Sequence, residues 1–211
     1  PFSSGRHLSP SHAPTLGHDI EHPQGYPCQT ASRLAPVVQV AMAISLAITL
    51  ANQLMGEIVF DNTFRYANAW YASKLEIGDD VALSGKARVI SSFHVEYFGE
   101  FVPQGQEQAR IRFYANDGPG SSPGTLLFAS EPVPIYPGYN VASLRQLALS
   151  VPDQFIWSIE FEGLTGVYNR RAGLIFYDPP VLGSSYKDFW VKQEGKWNTF
   201  IFGEVAANFS V

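Results

Sequence analysis

From residue 57 onward, apolar and polar side chains alternate along the chain with a period of two. The pattern is clearest in residues 87–97, 108–114 and 154–162, where apolar residues recur at every second position and polar residues fill most positions between. Successive side chains of a strand point to opposite faces, so each segment predicts a strand with one buried and one solvated face. In the first segment, the predicted buried side chains are Ala87, Val89, Phe93, Val95 and Tyr97.

Further strands are predicted between these segments. The segment AGLIFY, residues 172–177, is apolar on both faces and predicts a more deeply buried strand. Shorter candidate strands lie at residues 57–60, 80–84, 124–130, 140–151, 189–193, 197–202 and 206–211. Turn sequences such as NDGPG and YDPP separate them, and no segment after residue 57 has a convincing helical period. Roughly ten short strands predict an all-β, antiparallel two-sheet sandwich of the jelly-roll type over residues 56–211.

The first 32 residues have a different composition from the rest. They contain five prolines and four of the five histidines, His7, His12, His18 and His22, without apolar periodicity. Such a segment buries too little surface to offset its chain entropy and is predicted to be disordered, although a histidine-rich tract can bind metal. An alternative hypothesis is that residues 1–41 are a misassigned preface and that the chain starts near Met42.

Residues 33–55 carry the most apolar stretch of the chain. Arg33 precedes an uncharged run over residues 34–54, and Thr49 and Ala51 form the small-residue pattern of a signal-peptidase site. This pattern favours a cleaved export signal. The run is also long enough for an uncleaved membrane anchor, which would be the chain's one contact with a membrane, and a buried helix is a third interpretation.

Charge and cysteine content exclude several classes of protein. The net charge is −5 and the pI is about 5.5, with no basic cluster, so the sequence does not predict a nucleic-acid partner. The single cysteine, Cys28, permits neither an intrachain disulfide nor a cysteine-based metal site. The aromatic share of 14% is high and agrees with an all-β domain.

The enzymatic alternative rests on two carboxylates. Glu160 and Glu162 are two positions apart on one predicted strand, so they leave the same face about 6.5–7 Å apart. Glycoside hydrolases use two carboxyl groups as acid and nucleophile or as acid and base, which makes this pair a candidate. A nucleophilic mechanism has less support, because His94 is the only histidine after residue 57 and no G-x-S-x-G motif is present.

Two further kinds of site are predicted in loops and strands. Calcium binds oxygen ligands in loops, and the candidate ligands are Asn116, Asp117, Asp178 and Asp188. Exposed aromatic rings can stack on sugars, and the candidate polysaccharide-binding residues are Trp190, Trp197, Tyr186 and Trp70. Trp190 is predicted to lie on the face opposite Phe189 and Val191, so its exposure decides whether it can bind.

Five segments resemble, in the same order, exported bacterial proteins that often end in a PEP-CTERM sorting tag. They are GEIVFDNT at 56–63, GDDVALSGKARVISSFHVEYFG at 78–99, ARIRFYANDGPGSSPGTLLFAS at 109–130, VPDQFIWSIEFEGL at 151–164 and AGLIFYDPPVLGSSYKDFW at 172–190. The resemblance implies export, a β-sandwich and an association with the cell surface or with exopolysaccharide. It implies no catalytic residues, and residues 1–211 do not contain the tag itself.

These observations predict a secreted or cell-surface protein without catalytic activity that binds polysaccharide. The first alternative is a jelly-roll glycan hydrolase that uses Glu160 and Glu162. The second is a structural subunit that assembles through exposed strand edges.

Overall fold

The computed structural model describes Ile44 and residues 56–164, 170–203 and 208–211. The chain splits into two units, Pro1–Ala51 and Asn52–Val211, and every element below belongs to the second. The predicted tail, with its four histidines and Cys28, lies outside the described residues, as does the predicted signal or anchor segment apart from Ile44. Among the described residues, no helix is long and apolar enough to cross a membrane.

The described part of the second unit consists of strands joined by turns and loops. The strands are β1 (Tyr66–Ala72), β2 (Glu76–Ala82), β3 (Val89–Glu100), β4 (Gln108–Ala115), β5 (Leu126–Ala129), β6 (Val133–Pro134), β7 (Gly138–Ser150), β8 (Gln154–Glu162), β9 (Arg171–Tyr177), β10 (Asp188–Gln193), β11 (Lys196–Ile201) and β12 (Asn208–Phe209). One 3-10 turn, Pro119–Ser121, interrupts the loop between β4 and β5.

These strands form two antiparallel sheets. The five-stranded sheet has the order β1-β9-β3-β7, with β12 paired to β9. The seven-stranded sheet has the order β11-β10-β2-β8-β4-β5, with β6 paired to β4. The prediction of an all-β fold with two antiparallel sheets is therefore confirmed.

The core lies between the two sheets and is built by the alternation seen in the sequence. In β8, Phe155, Trp157, Ile159 and Phe161 are all buried in one hydrophobic cluster. The five-stranded sheet contributes the buried residues Val95, Tyr97, Leu174 and Phe176 to the same cluster. Each such side chain stabilises the fold by about 1.5–3 kcal/mol through burial. The side chains between them point outward and form the outer faces of the two sheets.

Three details of the strand prediction are wrong. The sequence analysis missed β1, and residues 57–60 form no strand, although the Val59 carbonyl accepts a hydrogen bond from the Ser84 amide (2.8 Å). Val89, predicted to face the core, is exposed, and Ile90 is buried instead. The register between β3 and β7 shifts between Ile90 and Ser92, and this irregularity breaks the alternation on which the prediction relied.

Both edge strands of the five-stranded sheet contain a bulge. In β1 the register against β9 shifts between Tyr66 and Trp70, and Asn68 within that stretch has a φ of 54°. In β7 the shift opposite β3 includes Gln146, with a φ of 57°. A left-handed residue inside a strand bends it and leaves local backbone groups out of the ladder.

Candidate functional site

The outer face of the seven-stranded sheet is centred on a buried carboxylate. Glu76 of β2 is 5% exposed, and its Oε1 accepts hydrogen bonds from the hydroxyls of Tyr114 (2.9 Å) and Ser158 (2.7 Å). Its Oε2 accepts one from Nζ of Lys192 (3.1 Å), and Nη1 of Arg112 lies 3.2 Å from Oε1. We call these five residues the Glu76 network.

The electrostatics of the Glu76 network keep its central carboxylate charged. Burial raises the pKa of Glu76, but the hydrogen bonds from Ser158 and Tyr114 and the charge of Arg112 outweigh burial, so the pKa lies below its usual value. The pKa of the Tyr114 hydroxyl is raised by burial and by Glu76, so this hydroxyl stays a donor. A general acid needs a proton near neutral pH, and Glu76 is not suited to that role.

The predicted catalytic pair lies beside this network. Glu160 and Glu162 share the outer face of β8, as the alternation predicted, and each faces an arginine of β4. Nη2 of Arg112 lies 2.9 Å from Glu160, and Nε of Arg110 lies 3.3 Å from Glu162. Glu162 also accepts a hydrogen bond from Gln108 (2.7 Å). Both carboxylates are therefore engaged by the neighbouring strand.

Trp190 and Trp197 also lie on this face, but Trp190 is covered. Trp190 is 8% exposed, packs with Tyr114 and Ile156, and donates from Nε1 to a carboxylate oxygen of Asp80 (2.6 Å). Trp197 is partly exposed, with its ring centroid 5.7 Å from that of Tyr114. Burial raises the pKa of Asp80 to about 6, against the opposing effect of the Trp190 hydrogen bond. Trp190 therefore serves packing rather than offering a free ring.

The other two predicted sugar-binding residues lie elsewhere. Tyr186 is 60% exposed in the loop before β10. Trp70 belongs to β1, in the other sheet from Trp190 and Trp197. The structure therefore does not bring the four predicted residues into one site.

The predicted calcium ligands do not form a cluster. Asp117 accepts hydrogen bonds from the amide and the hydroxyl of Thr125, both 2.7 Å, and these bonds lower its pKa. Asp178 follows β9 and lies 3.7 Å from Arg65, whereas Asp188 begins β10. Asn116 precedes Asp117 in the loop after β4. In the part of the chain that the structure describes, no group of three or more His, Cys, Asp or Glu residues could hold a metal ion.

The outer face of the five-stranded sheet is richer in exposed aromatic rings. We call it the aromatic face, and its residues are Tyr66, Trp70, Glu96, Phe98, Tyr139 and Tyr177. The Trp70 and Phe98 ring centroids are 5.0 Å apart, and those of Tyr66 and Tyr177 are 5.9 Å apart. Tyr66 is 51% and Tyr139 53% exposed. Four different strands supply these rings, of which Trp70 and Phe98 are partly exposed and Tyr177 is buried.

A carboxylate lies among the tyrosines of the aromatic face. Glu96 Oε2 accepts hydrogen bonds from the hydroxyls of Tyr139 and Tyr177, whose oxygens are 2.6 Å apart. Burial and the neighbouring Glu96 raise the pKa of the Tyr177 hydroxyl, so this phenol stays neutral and donates. Glu96 thus carries the negative charge of the group.

An ion pair borders the aromatic face at the Trp70 end. Arg171 of β9 lies 2.7 Å from Glu100 of β3, and its guanidinium carbon is 5.2 Å from the centroid of the Trp70 ring. A cation over an indole face is attracted by the ring quadrupole, so this contact helps to hold the ring in place. The face therefore has fixed rings with a polar border, as binding surfaces do.

An apolar cavity of about 570 Å³ opens at one end of the sandwich. It lies between residues 56–63, the start of β3 and the core residues Val81 and Phe155. Its volume is in the range of small-molecule sites. Glu57, one of its few charged lining residues, already accepts a hydrogen bond from the Ala87 amide (3.1 Å). The cavity therefore has few free polar groups with which to orient a ligand.

The sequence analysis named only Trp70 from the aromatic face. Glu96 lies between the predicted core residues Val95 and Tyr97, so alternation places it on the polar side of β3, but nothing in the sequence indicates that Tyr139 and Tyr177 lie beside it. Comparisons with protein-family models, with curated proteins and with solved structures find no match for this chain.

Proposed function

We propose that this chain is an exported, non-catalytic β-sandwich protein of the jelly-roll type that binds polysaccharide at the cell surface or in the extracellular matrix. The binding site is the aromatic face. In this proposal residues 33–55 direct export as a signal peptide, in keeping with the resemblance to PEP-CTERM-tagged proteins.

The observation that carries the proposal is the presence of two half-exposed tyrosines on the aromatic face, beside the partly exposed rings of Trp70 and Phe98. Tyr66 and Tyr139 each leave about half of their surface in water, and Val141, also half-exposed, continues the apolar surface beside them. Contiguous apolar surface on a folded domain marks a site of interaction. Tyrosine and tryptophan combine an apolar ring with a polar tip, which suits the apolar faces and hydroxyls of sugars.

The catalytic alternative has weaker support. Arg112 and Arg110 hold Glu160 and Glu162 in ion pairs, whereas a glycoside hydrolase needs both of its carboxyl groups to act on the substrate. Nearby Glu76 is saturated with donors, and its pKa is lowered. The outer face of the seven-stranded sheet is thus held together by its own ion pairs.

The test is a polysaccharide array probed with the full chain and with matched variants. Tyr139→Ala removes a half-exposed ring of the aromatic face, and Tyr186→Ala removes a ring of similar exposure from a loop. A central aromatic contact contributes more than about 1.4 kcal/mol, so Tyr139→Ala is expected to weaken binding about tenfold or more. Tyr186→Ala should leave it unchanged.

A tryptophan pair gives an independent comparison. Trp70→Phe should weaken binding, whereas Trp197→Phe, on the opposite face, should not. Binding that depends on Trp197 or Tyr186 and not on Tyr139 would move the site away from the aromatic face. Absence of binding to every polysaccharide would overturn the proposed function.

A further inference from the structure

Glu96 differs from the other glutamates that lie in described strands. Glu76, Glu100, Glu160 and Glu162 each lie within 4.0 Å of a nitrogen of an arginine or lysine. Glu96 forms no ion pair with any residue that the structure describes, although it is only partly exposed. A carboxylate in such a position is an acceptor for a cation from outside the chain.

The surroundings of Glu96 favour an organic cation over a metal ion. The hydroxyls of Tyr139 and Tyr177 both reach the same oxygen, Oε2, and the Tyr66 ring packs against that of Tyr177. Within the described residues, Oε1 accepts no hydrogen bond, so it is available to a ligand. Aromatic faces attract alkylammonium groups, and a carboxylate binds them through charge-assisted hydrogen bonds.

Arg145 of β7 lies on this face, but its register partner Ser92 is four residues from Glu96 along β3. Two other basic groups on the face have partners of their own. His94 lies two residues before Glu96 on the same side of β3, and its Nδ1 is 2.8 Å from the Ser143 hydroxyl. Arg171 pairs with Glu100 and covers Trp70. Neither neutralises Glu96. The aromatic face therefore offers stacking surface with one uncompensated negative charge within it.

We propose that the polysaccharide bound by the aromatic face carries ammonium groups, and that Glu96 binds one of them while the adjacent rings stack on the sugar. This proposal rests on the proposed function and names its ligand class: an amine-bearing glycan. The net charge of −5 favours the approach of such a polymer.

The test compares two oligosaccharides with the same sugar backbone, one with charged amines and one with neutral acetamides. One is a hexamer of β-1,4-linked glucosamine at mildly acidic pH, and the other is the same hexamer with every amine acetylated. Calorimetry on the full chain is expected to give about tenfold tighter binding of the amine form, which corresponds to one charge-assisted hydrogen bond. The preference should decrease as sodium chloride is raised.

Two isosteric variants locate the effect. Glu96→Gln keeps an oxygen for the tyrosine hydroxyls but removes the charge, so this variant should bind the two hexamers with similar affinities. Glu100→Gln alters a carboxylate on the same face that already has a partner, and it should keep the preference.

The outcomes separate this inference from the function on which it rests. A preference that persists in Glu96→Gln, or tighter binding of the acetylated hexamer by the wild type, would overturn the role of Glu96. If neutral polysaccharides bind through Tyr139 and the amine hexamer has no advantage, only this inference fails. If no glycan on the array and neither hexamer binds, both proposals fail.

Discussion

Removal of the Glu76 carboxylate should destabilise the protein strongly, although Glu76 plays no part in the proposed binding. Glu76→Ala leaves the Tyr114 and Ser158 hydroxyls without their acceptor and the buried side of Arg112 without a counter-charge. Loss of one partner from a buried ion pair costs about 3–5 kcal/mol. In the variant, Arg112 still has Glu160 at 2.9 Å as a partner, and Lys192 can be solvated by water. The expected loss in free energy of unfolding is therefore smaller, about 2–4 kcal/mol.

The matched control is Glu162→Ala on the same face. Glu162 pairs with Arg110 at 3.3 Å, and both side chains are 30% exposed. Pairs that reach solvent contribute about 0–1 kcal/mol, so this variant should be nearly neutral. Urea unfolding of the full chain measures both variants. With a slope of about 2 kcal/mol/M, Glu76→Ala should lower the midpoint by about 1–2 M, and the slope should not change.

The pH dependence of this difference provides a second measurement. The folded-state pKa of Glu76 is lowered, so its stabilisation is present above the unfolded pKa and is lost as pH falls through the folded pKa. The difference in free energy of unfolding between the wild type and Glu76→Ala should therefore become smaller at acidic pH. The reasoning would be refuted if Glu76→Ala and Glu162→Ala lost equal free energy of unfolding at neutral pH. It would also be refuted if the difference between the wild type and Glu76→Ala became larger at acidic pH.

Two further predictions concern Trp190 and its hydrogen-bond partner. Burial raises the pKa of Asp80 to about 6, so its contribution to stability is full below the ordinary value near 3.8 and declines as pH rises through about 6. Asp80→Asn should therefore remove part of the decline in melting temperature over this pH range. A decline as large as that of the wild type would contradict this prediction. Trp190→Ala should cost about 3–5 kcal/mol in urea unfolding because the ring is buried against Tyr114 and Ile156, and a comparable cost for the partly exposed Trp197→Ala would argue against this packing.

The strands that the sequence predicted well are those whose alternation is set by burial on one face. In β8 the residues Phe155, Trp157, Ile159 and Phe161 alternate with the polar positions that became the outer face. The segment YANAWYA of β1 was missed because alanines and an asparagine weaken its pattern, and the bulge at Asn68 interrupts it. Val89 was assigned to the wrong face because the shift of register between β3 and β7 does not change the pattern of apolar and polar residues in the sequence.

The candidate sites are formed by side chains that are far apart in the sequence, so a local pattern of apolar and polar residues does not predict them. Alternation correctly placed Trp190 on the face opposite Phe189, but its burial comes largely from Tyr114 and Ile156, which belong to strands further across the sheet. Glu96, Tyr139 and Tyr177 lie on three strands whose neighbourhood is fixed by the order of the sheet. Sequence separations of 38–81 residues among these three side chains explain why no motif indicates the aromatic face.

The bulges in β1 and β7 bear on whether copies of this protein can polymerise. A continuous sheet shared between two copies needs a long, flat row of free amides and carbonyls at an edge. Asn68 and Gln146 interrupt that row on both edges of the five-stranded sheet, so an added strand could pair over only a few residues on either side of each bulge. Fibre growth through this sheet is thereby disfavoured, so copies of the protein at high local concentration can remain separate molecules.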